Sequence, residues 1–188
     1  MRIAQAIGGM AVLIALMSGC QPSNLRTMTE TQAKVEEAKD EAERAKSTAQ
    51  MLESSDQYAM DVQQAEVEAS AAESKLKSKR LDDAYVSAMQ SLSASQRIFR
   101  QFYLERVAKL AEQSKKAIED EMQKDSDTPL KKMLPELDRI LDVANQLQTG
   151  QAEVSSNTML ADLETSTQTD AIIVGMTKAK IESDVSFD

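Results

Sequence analysis

Acid–base and nucleophilic chemistry need side chains that titrate or attack near neutral pH, and this chain holds almost none. No histidine occurs in its 188 residues, and Cys20 is its one cysteine. The usual zinc sets and imidazole-based proton transfer are therefore out of reach. Carboxylates are plentiful, but Glu36, Glu37, Asp40 and Glu41 fall on the solvated face of a helical stretch and do not converge on a cleft. There is no Gly-rich phosphate loop and no G-x-S-x-G turn. The bases Lys75, Lys77, Lys79 and Arg80 could meet phosphate or glycan, although a run of this kind more often marks the end of a helix. Phe99, Phe102 and Tyr103 stand together, either as the wall of a pocket for an apolar ligand or as ordinary core. These residues lead us to expect no enzyme, no metal site and no cofactor.

Cys20 has a distinctive setting. Arg2 precedes an apolar run, Ile3 to Met17, that is too short to cross a bilayer, and small residues close it. That order is the order of a secretory signal. Met17-Ser18-Gly19-Cys20 resembles the cleavage box of bacterial lipoproteins: an apolar residue, two small ones, then the acylated cysteine. The resemblance implies cleavage of residues 1–19, a thioether-linked diacylglycerol on the Cys20 sulfur, and a further acyl chain, such as palmitate, on its amine. Several chains anchor stably, because each buried methylene contributes about 0.8 kcal/mol. In the family an Asp after the cysteine tends to retain the protein in the inner membrane. Gln21 stands there in this chain and implies the outer membrane, facing the periplasm.

The elements that must carry such an anchor are helical. With 31 acids against 22 bases the net charge is −9, so bulk charge does not favour nucleic acid or anionic lipid as a partner. Five Gly and three Pro are few breakers for this length, and three of the Gly fall in the signal. Composition alone points to an all-α fold, an elongated helical hairpin bundle with coiled-coil-like seams and a thin core. A tether, 20–26, leads into a bundle over 27–150.

The first helix, 27–53, carries Val35, Ala38, Ala42, Ala45, Ala49 and Leu52 at alternating three- and four-residue spacings. That is a heptad seam made mostly of alanine, so partner backbones can approach closely. This stretch resembles the Ala-zipper helix of murein lipoproteins. The last residues, Phe187-Asp188, are not the lysine through which that family attaches to peptidoglycan, so that linkage is not expected. After Ser54-Ser55-Asp56 the seam restarts out of phase at Tyr58, Val62, Ala65, Ala69, Ala72 and Leu76, giving a second helix over 56–77. Ser54 and Gln57 have the spacing of a capping box.

A third helix, 81–124, has no breaker inside it and a stripe from Leu81 through Phe99 and Phe102 to Ile118 and Met122. Its start, Leu81-Asp82-Asp83-Ala84-Tyr85 with Ala88 and Leu92, resembles the second helix of tetratricopeptide-like hairpins and Ala-rich hairpins of other bacterial lipoproteins. At 1.5 Å per residue it would run about 66 Å, long enough to serve one partner along each half. Thr128 and Pro129 signal the start of a fourth helix, 129–148, with a kink or fresh start at Pro135 and an end at Gly150. Beyond it, 151–188 is rich in Ser, Thr and acids and reads as a mostly disordered acidic tail. Ala171 to Met176 forms an apolar island within it.

The expected function is that of a lipid-anchored structural or assembly lipoprotein of the cell envelope. Its partners would be the membrane through lipid, and an envelope protein or a second copy through the seam Ala38, Ala42, Ala45 and Ala49. Two rivals remain: a helical module binding a small apolar ligand or peptide at Phe99, Phe102 and Tyr103, and a spacer held non-covalently on peptidoglycan.

Overall fold

A computed structural model describes residues 27–52 and 55–185, and among these residues all regular structure is helical. The expected signal segment 1–19, Cys20, the tether to residue 26 and the cap at Ser54 lie outside the described residues. Helix α1 spans Met28–Ala49, α2 Ala59–Lys77, α3 Leu81–Phe102, α4 Ala108–Lys124, α5 Leu134–Thr149 and α6 Ser156–Val185. Short 3-10 turns precede α2 and α5, and a single π turn, Tyr103–Val107, joins α3 to α4 without a break. Leu81 to Lys124 is thus one continuous helical spine, as the lack of breakers implied.

Local signals explain most boundaries. Thr27 opens α1 with a capping box: its hydroxyl accepts from the Glu30 amide at 3.2 Å, and its own amide donates to the Glu30 carboxylate at 3.0 Å. The turn between α2 and α3 has no glycine, and Lys79 takes the left-handed conformation there at φ 59°. Gly150 ends α5 at φ 72°, and the Gln151 amide bonds the Gln146 carbonyl at 2.9 Å, the paired closure that a left-handed residue permits. Pro135 sits in the first turn of α5, where its missing N–H costs nothing, so it marks a start and not a kink. Thr128 is correctly placed before Pro129 but contributes no side-chain cap.

The spine serves two partner sets. Along α3 it packs with α1 and α2, and the seams interlock: Val35, Ala38, Ala72, Ala84, Ala88 and Leu92 form one cluster, and Ala42, Ala65, Ala69 and Ala94 another. Alanine lets the backbones come close enough for the buried Ser91 hydroxyl to donate to the Ala65 carbonyl of α2 at 2.8 Å, within 3.4 Å of the Ala38 carbonyl of α1. From the π turn onward the spine packs with α5 and α6 around a larger core that includes Phe99, Phe102, Tyr103, Ile118, Leu137 and Met159. Ala45, Ala49 and Leu52 at the end of α1 join that core, so the two halves share their middle.

The C-terminal segment corrects one expectation. Residues 156–185 are helix where a disordered tail was expected, and Ser156, Met159, Asp162, Ser166 and Thr169 turn one face to the bundle. Three- and four-residue spacing is present, but mostly in small polar residues, which hid the face in the sequence. Exposed residues fill the turn after Ile173.

Candidate functional site: a groove at the far end of the spine

Each residue singled out in the sequence has a definite place. Ala38, Ala42, Ala45 and Ala49 are all buried against α2 and α3 or the larger core. The seam expected to be open to a second copy or a partner is consumed within the chain, because short α2 and the first half of the spine fold back upon it. Phe99, Phe102 and Tyr103 are also enclosed, with at most 3% of their surface exposed. Of the two roles open to them in the sequence, pocket wall or ordinary core, they take the second. In the base run, Lys75 donates to the Ser87 hydroxyl at 2.7 Å, Lys77 pairs with Glu73 at 3.0 Å and Arg80 with Asp83 at 2.8 Å. These cations secure the hairpin end of α2 and α3.

Two polar latches that the sequence did not announce hold α6 in place. The first is at its N-terminus, where Glu41 of α1 accepts from the Ser156 hydroxyl at 2.6 Å and from its amide at 3.3 Å. Arg44 then donates to the Ser156 hydroxyl at 2.7 Å and to the Asn157 side chain at 2.6 Å. A carboxylate facing the first turn of a helix also suits its dipole. The second latch is Asp162, buried, which accepts from the Tyr103 hydroxyl at 2.7 Å and from Arg139 of α5. Arg139 is shared with Glu136 at 2.8 Å. Burial, and next the hydrogen bond and charge of Asp162, hold the Tyr103 phenol well above its ordinary pKa. Hydrogen bonds donated to Glu136 and then to Asp162 keep the Arg139 guanidinium firmly protonated. The sequence offered only one hint, a Tyr inside an apolar stripe that must find a partner for its hydroxyl.

Past the second latch a groove of about 580 Å3 opens between α4, the 3-10 turn Pro129–Met133 and α6. Ala117, Pro129, Leu130, Ile173 and Met176 supply its apolar lining. Asp120, Glu121 and Asp125 stand along the α4 side with one cation, Lys124, which pairs with Glu121 at 3.4 Å. Met176 within it is 38% exposed, and beside it Ile172 and Val174 are 43% and 59% exposed. The expected apolar island is therefore half docked: Ile173 packs against the core and its neighbours face outward.

Among the described residues no group of three or more His, Cys, Asp or Glu could hold a metal ion, and no helix is long and apolar enough to cross a membrane. No protein-family model, curated protein or solved structure matches this chain.

Proposed function

We propose that this chain is a lipoprotein of the bacterial outer membrane, anchored by acyl chains on Cys20 and acting in the periplasm as a structural or assembly partner. The observation that carries the reading is the position of the single cysteine, directly after an apolar run and Met17-Ser18-Gly19. The fold accords with it. Val35 and Ala38, near the start of α1, lie against Ala72 and Ala84 at the hairpin end of α2 and α3. A tether entering at Thr27 would hold that end toward the bilayer and leave the groove at the other end of the spine, roughly 60 Å away at 1.5 Å per residue. A protein with its interior seams satisfied and an apolar groove at its free end is suited to reach and hold, not to convert.

Acylation is tested by metabolic labelling. The parent chain should incorporate labelled fatty acid and fractionate with the outer membrane, whereas Cys20→Ser should carry no label and leave the membrane fraction or remain uncleaved. Labelled, membrane-bound Cys20→Ser would refute the assignment.

A further inference from the structure

We propose that the groove between α4, the Pro129–Met133 turn and α6 docks a basic amphipathic helix of another protein. Its apolar floor, Ala117, Leu130, Ile173 and Met176, runs between two helices, and its volume of about 580 Å3 leaves space for the side chains of a third rod laid along them. The pattern of such a rod is one row of aliphatic side chains on the floor, spaced by three or four residues. Charge selects its other face. Glu121 is occupied by Lys124 at 3.4 Å, while Asp120 and Asp125 add two further negative charges on the same wall. Lysine or arginine flanking the apolar row would meet them. The same wall opposes an anionic bilayer, and a second copy brings the same net charge of −9.

The proposal deepens the assembly reading and rests on it, but its test does not involve the acyl chain. The full chain, with phosphatidylcholine nanodiscs present, is titrated with a fluorescent Leu/Lys amphipathic peptide, with a Leu/Glu peptide of the same pattern as control. The Leu/Lys peptide should bind and the Leu/Glu peptide should not. Ala117→Trp, which fills the groove, and Met176→Asp should each weaken binding about tenfold or more. Met176→Asp is informative because it adds negative charge, so a loss must come from apolar contact. Asp120→Asn with Asp125→Asn should weaken binding and flatten its salt dependence, while Val67→Asp, at an exposed apolar residue on α2, should change nothing. Affinity unchanged in folded Ala117→Trp and Met176→Asp would overturn the proposal. So would equal binding of the Leu/Glu peptide, equal uptake by empty discs, or peptide-free crosslinking of two copies through residue 176. Failure here would leave the result for Cys20 untouched.

Discussion

Asp162 takes hydrogen bonds from both Tyr103 and Arg139 while only 4% of its side chain meets solvent. Removing it leaves the buried phenol only the Ile140 carbonyl, at 3.3 Å, and takes away one of the guanidinium's two carboxylate partners. Asp162→Ala should cost about 2–3 kcal/mol, below the range for a fully buried pair because Arg139 is partly exposed, and urea denaturation will measure it. Tyr103 adds a pH signature. Its pKa in the fold lies above the unfolded value near 10, so the folded state holds that proton more tightly. The stability it contributes is intact below about pH 10 and is lost as the pH rises past it toward the folded value. The melting temperature should fall in strong alkali, and less steeply in Tyr103→Phe. Lys79 works in the opposite sense: a side chain in the left-handed region costs about 1 kcal/mol, so Lys79→Gly should raise stability by about that much.

At the scale of elements, the alanine seam supplies the clearest test. Ala42 is packed against Ala65, Ala69 and Ala94, whereas Ala33 is exposed on the same helix. Ala42→Glu should lower stability by about 3 kcal/mol or more through a buried charge and a forced separation, and Ala33→Glu should do almost nothing. Thermal melting compares the two, and because the seam mates within the chain, sedimentation should show no change of oligomeric state specific to Ala42→Glu. The seam, the spine and the turn at Gly150 were legible in the sequence because their signals are local: a spacing, an absence of breakers, a glycine after a last apolar residue. Helix α6 was not. Its inward face includes Ser156 and Asp162, whose partners Glu41, Arg44, Tyr103 and Arg139 lie far away in the chain, and Ser166 and Thr169, small polar residues that carry no apolar signal. The groove was half legible. Ala171 to Met176 stood out as an apolar island, but nothing in one dimension said that Ile173 and Met176 would meet Ala117 and Leu130.

The described residues form two three-helix units threaded on one spine, with the end of α1 and the start of α6 crossing between them. Neither unit can lose its helices without exposing part of the other's core. Unfolding should therefore be a single transition, with far-UV circular dichroism and the near-UV signal of the tyrosines falling together. Two separated midpoints would show that the shared middle couples the units only weakly.

The π turn at Tyr103–Val107 has a consequence for direction. An α-helix turns through about 100° with each residue, and a wider turn absorbs one residue more than an ordinary one. The distal unit is thereby swivelled about the spine's axis relative to the proximal one, with almost no change in reach. How far the molecule extends is set by the number of residues in Leu81–Lys124; which compass bearing its far end faces is set by that single turn. Deleting Leu104 would shorten the rod by only about 1.5 Å yet rotate the far face by about 100°, tearing Tyr103 and Asp162 out of alignment. Bearing and length are independent settings in this design, and the first is the more easily lost.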